Sequence, residues 1–303
     1  MRSELDATAG RIHEALRSAP TSSPTHRALH AKGVVVEGRF TPTGDLAGRT
    51  TARHLLEGAT PALVRFSHPG GDPAAPDAVP SARGIAVKLR TPDGSHDLVA
   101  VSAPAFLVRD GASFLELLAA RAPDPATGAP DPARMLAFVE QHPESLPAVQ
   151  AAMTAGVPVS YATLTYNGLH TFFLVDPDGA SHPFRYAWVP VGGEQFLAEP
   201  PGTVDLAAEL AVRLRGPRDD AAFDLVVQLG TSEDPTGDPT AVWPVRPEVV
   251  VGRLQLDAVV VDAEPVIFDP TNMVDGVALD PDDEILALRR SVYGLSYATR
   301  TAP

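Results

Sequence analysis

Four strand-like runs crowd the first hundred residues, and short turns separate them. Residues 33–40, 61–67, 84–90 and 97–101 are rich in Val, Ile, Leu and Phe, with partial alternation of apolar and polar positions. Thr91-Pro92-Asp93-Gly94 stands between the last two and predicts an antiparallel hairpin. Further runs at 159–166, 170–175, 184–190, 223–229 and 249–261 read as strands, with Asp176-Pro177-Asp178-Gly179 as another turn. Helical patterns fall at 5–18, 111–121, 132–153, 203–215 and 282–291, and Asp131-Pro132 supplies a cap with a first-turn proline. Strands and helices show no βαβ rhythm. The pattern therefore predicts an α+β fold, a large antiparallel sheet or barrel with helices around it. A short helix and loop are expected over 1–24, and a single domain over 25–303.

With 44% hydrophobic and 20% charged residues in 303 positions, the chain can bury a sizeable core. Its net charge of -14 argues against nucleic acid or an anionic membrane as partner, because both need a positive face. No cysteine occurs, which excludes disulfides, iron–sulfur clusters, thiolate ligands and cysteine nucleophiles. The start, Met1-Arg2-Ser3-Glu4-Leu5-Asp6, lacks the apolar stretch of a secretory signal, and no apolar run reaches the length of a membrane span. The expected location is the cytoplasm. Lysine survives only at Lys32 and Lys88, among 24 Lys and Arg residues.

The most specific signals lie near the two ends. Arg27-Ala28-Leu29-His30-Ala31-Lys32-Gly33 precedes Gly38-Arg39-Phe40, and Arg289-Arg290-Ser291-Val292-Tyr293 stands far downstream with Arg300 beyond it. Between them, in order, come Val64-Arg65-Phe66-Ser67, Arg83-Gly84-Ile85-Ala86-Val87-Lys88, Asp97-Leu98-Val99 and Ala103-Pro104-Ala105-Phe106-Leu107-Val108-Arg109-Asp110. Pro143-Glu144-Ser145-Leu146, His170-Thr171-Phe172, Val242-Trp243-Pro244 and Phe268-Asp269-Pro270-Thr271-Asn272-Met273 follow. Each fragment is weak alone. In this order and spacing, over roughly residues 25–300, they resemble the haem catalases. The long helical C-terminal region of a full catalase has no counterpart, so the chain is similar to the small catalase-related peroxidases.

The resemblance implies a catalase-like antiparallel β-barrel around one haem b. Tyr293 is the implied iron ligand. A phenol titrates near about 10, so it needs the metal and a cation, such as Arg289 one turn earlier, to act as phenolate. His30 is the implied distal acid–base group, moving a proton between the two peroxide oxygens, with Ser67 beside it. Arg27, Arg65 and Arg300 are the implied partners of the haem propionates. Phe114 is implied on the distal haem face and Phe268 near the proximal side. His170, Asp283 and Arg289 are implied to order the surroundings of the tyrosinate, with an ordinary helix-start acid as the alternative for Asp283. His26 precedes the motif, and His68 either borders the pocket or lies on the surface.

One position departs from the family. Full catalases carry an asparagine after Leu-Val-Gly that helps hold peroxide. Here Leu98-Val99-Ala100-Val101-Ser102 places Val101 at that point, and valine cannot donate a hydrogen bond. Ser102 is expected to point to the other face of the strand. The implied activity is therefore that of a haem peroxidase. It would reduce hydrogen peroxide or organic hydroperoxides with oxidation of a small organic donor, and have weak catalase side activity. Transformation of fatty-acid hydroperoxides in the manner of allene oxide synthases, and haem binding without turnover, remain open alternatives. A homodimer is compatible with the resemblance.

Overall fold

Strand alternation resolves into two meanders that close on each other. The computed structural model describes residues 2–19, 23–124, 127–263 and 265–302. Strands β1 (Gly33–Pro42), β2 (Thr60–Ser67), β3 (Gly84–Thr91) and β4 (Gly94–Val101) form the first meander. Strands β5 (Tyr166–Val175), β6 (Ser181–Pro190), β7 (Ala222–Leu229) and β8 (Glu248–Val259) form the second. Every pairing is antiparallel. β8 pairs with β1, and Val101 opposite Asn167 joins β4 to β5, so eight strands close into a barrel. A short β9 (Val277–Leu279) adds to β5. The predicted turns have their expected chemistry: Gly179 has φ of 83°, and Asp176 Oδ1 accepts from the amides of Asp178 and Ala180 at 2.9 Å each.

Among the described residues, six α-helices surround the barrel: α1 (Arg2–Arg17), α2 (Gly111–Arg121), α3 (Pro132–Gln141), α4 (Leu146–Met153), α5 (Leu206–Arg213) and α6 (Glu284–Thr301). The α+β barrel expected from the sequence is thus present. Three segments differ from expectation. The helix over 132–153 is broken, because Pro143 has no N–H to donate and instead opens a 3₁₀ turn between α3 and α4. The first part of 159–166 is no strand. Ser160 caps a 3₁₀ turn at Tyr161–Thr163, with Thr163 Oγ1 accepting from the Ser160 amide at 3.1 Å. The last helix runs on through Gly294 to Thr301, so Tyr293 sits within it rather than beyond its end. A single helical glycine costs only about 1 kcal/mol.

Strand parity separates core from site. Ala62, Val64 and Phe66 on β2, Ile85, Val87 and Leu89 on β3, and Leu98 and Ala100 on β4 belong to the core that fills the barrel. The alternate residues Leu63, Arg65 and Ser67, Gly84, Ala86 and Lys88, and Asp97, Val99 and Val101 occupy the outer face. The barrel interior is therefore packed, and the space for a ligand lies against its outer wall, under α1, α2 and α6. Both lysines serve buried carboxylates. Lys32 Nζ lies 2.9 Å from Asp77 Oδ2, and Lys88 Nζ lies 2.5 and 2.6 Å from the two oxygens of Asp97. Asp97 also accepts from the Asp269 amide at 2.8 Å, and its own N–H donates to Asn272 O at 2.8 Å. This pins the segment carrying Phe268 to β4. Among the described residues, no helix is long and apolar enough to cross a membrane.

A second buried pair contributes to the response of the fold to acid. His54 Nε2 and His96 Nδ1 share a hydrogen bond of 2.9 Å, and both rings are buried. Burial lowers their pKa values from 6.5 to about 4 for His54 and about 3 for His96. The unfolded chain thus takes up these protons first. Stability is complete above pH 6.5 and is lost as the pH falls below it. The loss approaches about 1.4 kcal/mol per pH unit for each ring. The urea midpoint should fall between about pH 7 and pH 5, and a double His54→Leu, His96→Leu variant should show a shallower fall. Equal slopes for the two proteins would remove the pair from this role.

Candidate active site

The loop before β1 carries His30 in a left-handed backbone conformation, with φ of 56°. For a residue with a Cβ, this conformation costs about 1–3 kcal/mol unless its surroundings hold it. Three bonds hold it here. The His30 amide donates to Pro69 O at 3.3 Å, the Ala31 amide donates to Gly70 O at 3.0 Å, and His30 Nδ1 shares a hydrogen bond of 2.9 Å with Ser67 Oγ. Gly84 makes room for the pair. A Cβ there would stand 2.9 Å from both His30 Cε1 and Ser67 Oγ. Gly33 does the same for Arg65, whose Cζ would be 2.8 Å from a Cβ at that position. Burial first, then the guanidinium charges of Arg65, Arg289 and Arg27, hold His30 down to about 3, so the ring is neutral at ordinary pH. Its Nδ1 is engaged by Ser67. Among the described residues no partner engages Nε2.

The opposite wall is built from α6. Asp283 caps this helix, its Oδ1 accepting from the Leu286 amide at 2.8 Å, while its Oδ2 lies 2.6 Å from His170 Nδ1. Asp283 thus starts α6 with one oxygen and meets His170 with the other. Arg289 lies between His170 and Tyr293: Nη1 is 2.7 Å from His170 Nε2, and Nη2 donates to the Tyr293 hydroxyl at 2.8 Å. A guanidinium can only donate, so His170 Nε2 must accept. The single imidazole proton then sits on Nδ1 and is donated to Asp283. Burial lowers the His170 pKa, and Arg289 and Arg185 lower it further against the opposing pull of Asp283. His170 reaches α6 from an irregular stretch of β5, where pairing to β6 shifts register between Gly168 and Phe172.

The two chain ends meet at one carbonyl. Arg27 and Arg300 both donate to Val266 O, at 2.5 and 3.4 Å, and Arg65 donates to Ala31 O at 3.2 Å. A cavity of about 1610 Å³ runs between these walls. It is lined by Arg27, His30, Arg65, Ser67, Val101, Phe114, Phe268, Arg289, Tyr293 and Arg300, with His170 and Asp283 behind it. Phe114 stacks on Phe106 at 6.2 Å, and Phe106 in turn lies 6.1 Å from the His170 ring. Phe268 is buried beside Val35 and Leu63, with Lys88 Nζ 5.7 Å from its ring centre. The Ser102 hydroxyl accepts from the Arg83 amide at 2.8 Å and is taken up there. His26 is exposed, and His68 is bound to Gly70 and Ser81; neither lines the cavity.

Sequence reasoning passed over two contributors. One is Phe106, which joins Phe114 to His170. The other is α1, whose Ile12, His13 and Leu16 form part of the cavity wall. The apolar spacing of Ile12 and Leu16 was the available signal. Among the described residues, no group of three or more His, Asp or Glu could hold a bare metal ion. The residues present fit a haem instead. They offer one phenol oxygen backed by a guanidinium, a facing imidazole, arginines suited to two carboxylates, and glycines where a Cβ would close the space.

Residues 13–303 match the sequence profile of the catalase family. The chain is 36% identical over 299 residues to a catalase-related peroxidase of Mycolicibacterium paratuberculosis, covering 95% of this chain and 93% of that protein. It is 32% identical over 285 residues to a catalase-related peroxidase of Synechococcus elongatus, covering 91% of this chain and 83% of that protein. Catalase isozyme 2 of Solanum lycopersicum is 31% identical over 307 residues, which span 91% of this chain but 60% of the plant protein. Barrel, cavity walls and sequence matches converge on one conclusion: the chain belongs to the catalase family.

Proposed function

We propose that the protein is a haem b-dependent peroxidase. It reduces hydrogen peroxide or an organic hydroperoxide, oxidises a small organic donor, and has only weak catalase side activity. The observation that carries this reading is the neutral His30–Ser67 pair facing the same cavity as Tyr293 and Arg289. Haem b, when bound, supplies the redox-active iron, a chemistry that the side chains of this chain lack. Tyr293 would hold the iron, and Arg27, Arg65 and Arg300 would pair with the carboxylates of the macrocycle. The hydrogen bond from Arg289 orients the Tyr293 oxygen toward the cavity side of α6 that would receive the group. On the other wall, His30 accepts a proton from one peroxide oxygen through Nε2 and returns it to the other, so the departing fragment leaves as water. Ser67 fixes the ring for both transfers. A haem carrier without turnover would have no use for this pair.

Val101 supports peroxidase over catalase. It lines the cavity with an apolar side chain, so nothing at that position holds a second peroxide by hydrogen bonding. The neighbouring Ser102 hydroxyl is already engaged with Arg83.

Three outcomes are expected. Tyr293→Phe should weaken haem retention and abolish the tyrosinate-type absorption spectrum; an unchanged spectrum would move the ligand elsewhere, with Tyr297 the next candidate. His30→Ala should slow the reaction of the loaded enzyme with peroxide by roughly 10²–10⁴, read by stopped flow, and wild-type rates would sink the proton-transfer role. Val101→Asn should raise oxygen release relative to dye oxidation, with oxygen electrode and dye absorbance read on one preparation. Vigorous oxygen release by the unsubstituted protein, with no dye oxidation, would make it a short catalase instead.

A further inference from the structure

The cavity extends past the residues assigned above. It continues between α2, α3 and α4, where Leu118, Met135, Val149, Ala152 and Met153 form an apolar wall. Arg121, the last residue of α2, lines this stretch together with Asp124 and Asp131. Asp131 is committed to capping α3 through the Ala133 amide at 2.9 Å. Among the described residues, neither carboxylate pairs with Arg121. A basic residue in the last turn of a helix ordinarily serves the free carbonyls there. In this protein Arg134 takes that task, donating from α3 to Ala119 O and Ala122 O. Arg121 therefore has no structural partner among the described residues. Its surface is accessible, yet burial alone pulls its pKa down. Arg121 is thus an accessible guanidinium on the cavity lining, crowded by protein atoms.

We propose that Arg121 anchors the carboxylate of an amphipathic organic substrate, whose apolar body lies along this wall and whose reactive end points toward His30. The inference rests on the peroxidase reading of the same cavity. Burial of apolar surface would draw such a body in without fixing its direction. One charge-assisted hydrogen bond at the outer end decides which end arrives first. The carboxylate belongs either to the reducing donor or to an organic hydroperoxide.

The test uses haem-loaded protein and matched acid–ester pairs. The donor arm compares p-coumarate with its methyl ester. The hydroperoxide arm compares linoleic acid hydroperoxide with its methyl ester. In the arm that applies, kcat/KM for the acid should exceed that for the ester by about tenfold, the scale of one charged hydrogen bond. Arg121→Gln should erase the preference, Arg121→Lys should keep most of it, and added salt should shrink it. Equal use of acid and ester in both arms, or a preference that survives Arg121→Gln, would overturn the proposal. Should no peroxide be consumed at all, the peroxidase reading fails while the anchor is still decided by calorimetry with laurate. Laurate binding lost in Arg121→Gln upholds the anchor, and absent or unchanged binding refutes it.

Discussion

An arginine can donate hydrogen bonds but never accept one, and the cavity wall built by α6 is organised by that asymmetry. Arg289 gives one N–H to Tyr293 and another to His170. The second gift determines the tautomer of a buried imidazole, and the tautomer in turn demands an acceptor at Nδ1. Asp283 is that acceptor, and its other oxygen starts α6. The helix that carries Arg289 and Tyr293 is thus begun by the same carboxylate that closes the chain of bonds. α6 packs on α1 and α2, so the orientation of the phenol is tied to the helical layer around it.

The barrel contributes by division of labour. Inward positions of β2, β3 and β4 fill a core of aliphatic and aromatic side chains, while among the alternate positions Arg65, Ser67, Gly84, Ala86, Val99 and Val101 line the cavity. A residue slip in any of these strands would exchange the two sets and put Arg65 into the core. The long antiparallel ladders, closed at Val101 and Asn167, prevent it. Gly84 belongs to the same logic. Its missing side chain is as much a part of the site as the imidazole that occupies the space.

Much of this was legible in the sequence because the informative residues are unusual for their surroundings. Arg27, His30, Arg289 and Tyr293 stand in motifs whose order is hard to produce otherwise, and each lines the cavity or its immediate wall. Strands β1 to β4 were readable because their apolar content is high and their turns carry Pro, Asp and Gly. The failures have local causes. Residues 159–166 contain β-favouring side chains, but Ser160 and Thr163 satisfy each other's backbone and win the segment for a turn. The break at Pro143 was visible as a proline and outweighed by helical neighbours. That the ligand space lies outside the barrel could not be read at all, since parity within a strand does not say which face is enclosed.

The meeting of Arg27 and Arg300 on Val266 O has a consequence for how the molecule is made. A ribosome releases the His30 loop and the first meander long before α6 emerges. The whole barrel is also made before α6, so throughout that interval Arg27, Arg65 and the strained His30 loop stand without the wall that completes the cavity. The pocket becomes whole only when the last helix docks. The wall that carries Arg289, Tyr293 and Arg300 is therefore the last part of the cavity to form, and a chain stalled before α6 lacks it.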